Sequence, residues 1–205
     1  MINRLIIIAV IGFYSNLRAA ALQFPEHNFS VELPAQWIDI TPRPPQTIVA
    51  AQSTDNSRRI VVVAVKILKA HETAAADFRA GVKDSISNQG WKIEPEQQVT
   101  INGQPFISFT AHIPSGGKFT AYTTAAGGEV YMLQAVGGAN SSSDPELQSI
   151  VQSFRFLSPA EIHPLDTPSK SPAYRAGYIF GQISCFVGIV WIIWSIIRRS
   201  RKVTP

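Results

Sequence analysis

Along this chain apolar positions first alternate with polar ones, then recur at helical spacing, then run unbroken, and each regime predicts a different element. In FSVELP (29–34), Phe29, Val31 and Leu33 fall on one side and Pro34 ends the run, the period of two of a half-buried strand. RIVVVAVKIL (59–68) is apolar at nearly every position, which predicts a strand in mid-sheet with both faces covered. ETAAADFRAGVKDSISNQG (72–90) changes period: Ala75, Phe78, Val82 and Ile86 share one helical face, and Gly90 can close the end.

Hairpin signals then cluster. Asn102-Gly103 separates QQVTI from QPFISFTAHI, and both residues tolerate the positive φ that a two-residue turn demands. Ser115-Gly116-Gly117 leads into KFTAYTTA, and Gly127-Gly128 into EVYMLQAV, so four antiparallel strands form a meander. Asp144-Pro145 then supplies an N-cap and a proline suited to the first helical position. Leu147, Ile150, Val151 and Phe154 form the buried stripe of that second helix. The class is α+β: an antiparallel meander sheet with two packing helices. No internal repeat is visible.

Two stretches carry a family resemblance. FSVELPAQWIDITP, an apolar strand followed by Pro-x-x-Trp, resembles the opening of the PsbP-like and DcrB-like proteins. ELQSIVQSFRFL resembles their closing helix running into Ser-Phe-basic-aromatic, and the elements between agree in order, so the resemblance covers about residues 29–157. It implies an antiparallel sheet with helices on its faces, in small extracytoplasmic proteins that mostly work by binding. It supplies no catalytic residues. Those relatives tend to be soluble or lipid-anchored, whereas this chain adds an apolar segment at its C-terminus.

That segment, AGYIFGQISCFVGIVWIIWSII (176–197), is 22 residues without a formal charge. As a helix it reaches roughly 33 Å, about the thickness of a bilayer's hydrocarbon core. Trp191 and Trp194 stand near one end, and Arg198, Arg199, Arg201 and Lys202 follow at once. Interfacial aromatics and cations beyond them mark a cytoplasmic end, so 198–205 is expected inside and everything before Ala176 outside. The N-terminus agrees: Arg4, an apolar run over 5–14, then Ala19, Ala20 and Ala21 give the order of a secretory signal over 1–21, cut before Leu22. Uncut, it would make a two-pass hairpin, and the middle would still be exported. Between domain (22–158) and membrane helix, residues 159–175 read as a linker, with Pro159, Pro164, Pro168 and Pro172 favouring extended backbone.

Charge and cysteine narrow the function. The net charge of +4 comes from cations flanking the two apolar segments. Residues 22–173 hold 11 Lys and Arg against 14 Asp and Glu, so the exported part is mildly acidic and a nucleic-acid partner is not expected. Cys185, the one cysteine, lies in the membrane segment, which denies the domain a disulfide, a thiol nucleophile and a thiolate metal site. No cysteine follows the signal to carry a lipid.

A search for reaction chemistry returns little. His27, His71, His112 and His163 lack a second ligand at a spacing that would face one metal from one element. There is no G-x-S-x-G elbow, and PSGGKF places Phe119 where a phosphate loop needs Ser or Thr. Glu94 and Glu96 flank Pro95 as a carboxylate pair, read as a solvated entry to the hairpin, while Trp37 and Trp91 read as core or rim aromatics. No cofactor is expected.

Two features remain as candidates. Ser108, Thr110 and His112 alternate with apolar neighbours, as do Thr120, Tyr122 and Thr124 on the next strand; they form either a binding face or a solvated sheet face. Gly177, Gly181, Ser184, Gly188 and Ser195 share one side of the membrane helix, and Gly177-x-x-x-Gly181 has the spacing that lets helices pair closely. That stripe would pair the helix with a copy of itself or another membrane protein, unless it reflects only the abundance of glycine in such helices. The expected function is a single-pass cell-membrane protein presenting a non-enzymatic binding or assembly domain to a protein partner. The alternative is an extracytoplasmic enzyme or metal-binding protein using His112 and the nearby hydroxyls.

Overall fold

The structure is a computed structural model and describes residues 20–66, 74–114, 116–138, 143–159 and 173–182. In chain order come β1 (Ala20–Phe24), β2 (Phe29–Leu33), β3 (Ile38–Asp39), β4 (Thr47–Gln52), β5 (Arg59–Lys66) and α1 (Ala74–Ser87). They are followed by β6 (Lys92–Ile93), β7 (Gln97–Ile101), β8 (Gln104–His112), β9 (Lys118–Ala126), β10 (Glu129–Gly137), α2 (Pro145–Ser153) and β11 (Arg155–Phe156). A last helix, α3, is described over 173–182.

The expected meander is present strand for strand. β7, β8, β9 and β10 pair antiparallel in sequence order, and β10 continues into β5, then β4 and β3. β8 is long enough to hold two partners: its first half pairs with β7 and its end with β6. The Asn102-Gly103 turn takes positive φ at both positions, 45° and 79°, as a two-residue hairpin of matching twist requires. β5 lies between β4 and β10, where a strand apolar from Ile60 to Val65 belongs, because packed layers cover both of its faces.

Each face of the sheet carries its own core. On one, Ile60, Val62, Tyr122, Tyr131 and Leu133 pack under α2 through Leu147, Ile150, Val151 and the capping Phe154. A small sheet ordered β1-β2-β11 joins this layer, placing Phe29 and Val31 in the same core. On the other face Val63, Phe109, Phe119, Ala121 and Met132 pack under α1 through Phe78, Val82 and Ile86. Ala173 and Phe180 of α3 belong to this second core. α2 starts as expected: the Asp144 carboxylate accepts the backbone N–H groups of Glu146 and Leu147 at 3.0 and 3.1 Å.

Several elements go beyond the sequence reading. The hairpin of β3 and β4 was not expected, nor was β1, which begins at Ala20 and pairs Ala20 with Leu33, two residues ahead of the expected cleavage point. The helix at the C-terminal end is described from residue 173, so the last three positions assigned to the linker are helical. The apolar head of the signal, most of the linker and residues 183–205 lie outside the described residues, and with them His71, His163, Cys185, Ser184 and Gly188. Among the described residues no helix is long and apolar enough to cross a membrane.

Candidate functional site

The hydroxyl-bearing positions of β8 and β9 do come together, by register: Ser108 pairs with Tyr122, Thr110 with Thr120, and His112 with Lys118. Their face is not open, however. Ser108, Thr110, Thr120, Tyr122 and Thr124 are all buried, and only His112 is half-exposed. This corrects the expectation of a solvated or accessible face. The reason lies in the second layer: α2 and the small sheet cover the side that the alternation assigns to water.

The hydroxyls are accommodated within the structure. Thr110 and Thr120 share a hydrogen bond of 3.1 Å, Ser108 donates to the Gln97 carbonyl at 3.3 Å, and Gln148 of α2 donates to the Tyr122 hydroxyl at 3.1 Å. Burial raises the Tyr122 pKa, with the Gln148 contact opposing, so the phenol stays protonated. Thr124 Oγ1 is buried with no hydrogen-bond partner. Ser108, Thr110 and Thr120 thus join strand to strand, and Tyr122 joins β9 to α2.

At the rim, His112 meets the carboxylate pair. Its Nε2 lies 2.6 Å from Glu94 Oε1, and Lys118 reaches the same oxygen at 3.5 Å. The hydrogen bond from His112 is the main reason the Glu94 pKa is lowered, with Lys118 adding to it. Glu96 goes elsewhere: its Oε1 is 2.9 Å from Lys83 Nζ and 3.0 Å from Arg79 Nε, both on α1. Burial alone would raise its pKa, but the two cations outweigh burial and lower it. The pair around Pro95 is thus split, one carboxylate to the rim of β8 and β9 and one to α1, and the two do not share a ligand. Among the described residues no group of three or more His, Cys, Asp or Glu is placed to hold a metal ion.

Two further polar clusters escaped the sequence reading. His27 Nδ1 lies 3.2 Å from both oxygens of Glu129, while the Tyr131 hydroxyl donates to the His27 carbonyl at 2.8 Å and lies 3.1 Å from Glu129 Oε2. Burial, reinforced by Glu129, pushes the Tyr131 phenol well above its usual range. This cluster bolts the small sheet to the end of β10. At the opposite side Arg58 grips Asp144 Oδ2 through Nε and Glu146 Oε2 through an Nη, each at 2.7 Å. Gln36 and Trp37 donate to the other Glu146 oxygen, each at 3.0 Å. Sequence spacing offers no signal for either, since partners lie about a hundred positions apart.

The remaining candidates, Gly177 and Gly181, sit in α3 with their Cα atoms turned onto α1. A side chain on Gly177 would collide with the Phe78 carbonyl, and one on Gly181 would lie 2.7 Å from Ser85 Cβ. The stripe is engaged, at these two positions, by the chain's own domain.

With this geometry in place, comparison with known proteins bears on the fold. No family model and no curated protein matches the chain by sequence. In structure it is similar to cyanobacterial PsbP (CyanoP) from Synechocystis sp. PCC 6803, at TM-score 0.53 and 12% identity, covering 71% of this chain and 96% of that one. A protein of Bacteroides thetaiotaomicron VPI-5482 aligns at TM-score 0.47 and 10% identity over 68% of this chain and 48% of its own length. The fold is PsbP-like: α+β, with an antiparallel sheet and packing helices.

Proposed function

We propose that this chain is a single-pass membrane protein that holds a PsbP-like domain outside the membrane as a non-enzymatic binding or assembly module. One observation carries the proposal: the uncharged run of 176–197, with Trp191 and Trp194 near its end and four cations within five residues after it. Because 176–182 pack on α1, the part left for the bilayer is 183–197, roughly 22 Å as a helix, a short span met by local thinning. The signal-like order of residues 1–21 supports the same topology. Because both sheet faces are closed by helices and the small sheet, recognition of a partner falls to the strand edges, the loops and the outer helix surfaces.

The second reading, a metal-binding protein or enzyme centred on His112, is favoured by the short His112–Glu94 contact at a half-exposed rim. Against it, the neighbouring hydroxyls it would recruit are buried. Metal analysis of the purified protein beside its His112→Ala variant separates the two, and stoichiometric metal lost in the variant would replace the first reading with the second. The topology itself is tested with a reporter active only outside the membrane. Inserted at Gly138 it should work, and fused after Pro205 it should be silent. Activity at Pro205 would overturn the proposed orientation.

A further inference from the structure

The start of α3 meets α1 backbone against backbone. A Cβ on Gly81 would collide with the Tyr174 carbonyl oxygen, and a Cβ on Gly177 with that of Phe78. Each glycine therefore lies over the carbonyl three residues before the other, a reciprocal contact open only to residues without a side chain. One turn on, a Cβ at Gly181 would lie 2.7 Å from Ser85 Cβ and 2.9 Å from the Val82 carbonyl oxygen.

The register rises together on both helices, so they run in the same direction. Gly177 meets Phe78 and Gly181 meets Val82. The Tyr174 hydroxyl donates to Asp84 at 2.6 Å, and Asn88 donates to the Tyr178 hydroxyl at 3.3 Å. Apolar contacts close the joint: Phe180 lies 6.1 Å from Phe78, ring centre to ring centre, and Ala173 is buried beside them. Ile179, on the far side of α3, is 56% exposed. The contact thus combines glycine approach, paired polar bonds and an apolar seal.

We propose that α1 is the seat of the anchor: α3 is locked onto it within one chain, so that the domain is carried in a fixed orientation and not on a free tether. The consequence for orientation rests on the membrane reading above; the lock itself does not. Gly177-x-x-x-Gly181 is then used inside the chain, and pairing two chains through it requires α3 to leave α1.

The test uses the full chain in membranes, with Cys185→Ser, Asn88→Cys and Tyr178→Cys, and a protease site placed within 160–172. A short bismaleimide should join the two new cysteines, so that cleavage leaves the fragments attached. Adding Gly177→Leu should lower the attached fraction by roughly tenfold, because a leucine has no room where backbones touch. Ile179→Leu, outward-facing, should leave it unchanged. Trypsin resistance of 22–157 verifies that the domain is folded in each variant. An attached fraction insensitive to Gly177→Leu would overturn the lock, and so would links found only between chains, which would make α1 the seat of a second copy's helix. Carbonate extraction of the same membranes reads the anchor separately. Locked protein released by carbonate would sink the membrane reading and leave the lock standing.

Discussion

Trp37 and Glu146, 109 positions apart, are joined by a hydrogen bond of 3.0 Å from the indole N–H to Oε1. The bond ties the segment after β2 to the first turn of α2, where a carboxylate is also favoured by the helix dipole. Arg58 holds the other oxygen of Glu146 at 2.7 Å and reaches the cap residue Asp144 at the same distance. Two separate segments, the stretch of Gln36 and Trp37 and the turn of Arg58, therefore converge on one helix start.

Trp37→Phe keeps most of the apolar contact and removes the indole donor, and should cost about 1 kcal/mol, since Gln36 and Arg58 still serve Glu146. Asp144→Ala removes the cap and the Arg58 partner together and should cost about 1–2 kcal/mol. Denaturant midpoints check both. Combining Trp37→Phe with Glu146→Ala should give less than the sum of the single effects, because both remove one shared bond.

Acid should weaken the fold in a definite window. The Asp55 carboxyl is lowered from 3.8 to about 2, chiefly by hydrogen bonds from Ser53 and then from the Ser57 N–H and hydroxyl. Glu94, Glu96 and Asp144 are lowered as well. For groups depressed on folding, the added stability is full above the unfolded pKa and is lost as pH falls through the folded one. The melting temperature should hold near neutrality and decline from about pH 4 toward pH 2, and Asp55→Asn should flatten part of that slope. A melting temperature that rises between pH 4 and 2 would contradict the ion-pair geometry.

Local patterns made much of this fold legible. Asn-Gly, Gly-Gly and Asp-Pro punctuate the four-strand meander and α2, and the all-apolar run of β5 announces a central strand. The hydroxyl face is buried where alternation predicts an open one, because alternation reports only which residues share a face. Whether water reaches that face depends on α2, whose Gln148 supplies the bond to Tyr122. β3 escaped because two residues, Ile38 and Asp39, are too few to show a period. Gly177 and Gly181 meet α1 of the same chain, a contact that their spacing, read as a pairing face between membrane helices, does not identify.

The turn between β7 and β8 gives a backbone test. Gly103 stands at φ 79°, where a β-branched residue meets its own carbonyl. Gly103→Val should cost about 1–2 kcal/mol, whereas Asn102→Gly, at a position already left-handed, should change stability little. Equal effects of the two substitutions would show that the turn is of another type.

The α1 core offers the sharpest quantitative test, because one side chain belongs to two contacts. Phe78 is fully buried between the sheet and α3, with Phe180 packed against it. Phe78→Ala should cost about 3–5 kcal/mol in the full chain, the range for deleting a buried aromatic. Ending the chain at residue 159 removes α3, and with it Phe180, and should itself lower stability by about 2 kcal/mol, the order expected for burying one large apolar side chain. In that shortened chain Phe78 faces water on one side, so Phe78→Ala should cost less than in the full chain. Chemical denaturation of the four proteins, the full and the shortened chain each with and without Phe78, gives the coupling directly. Equal costs in both backgrounds would mean that Phe78 does not hold α3.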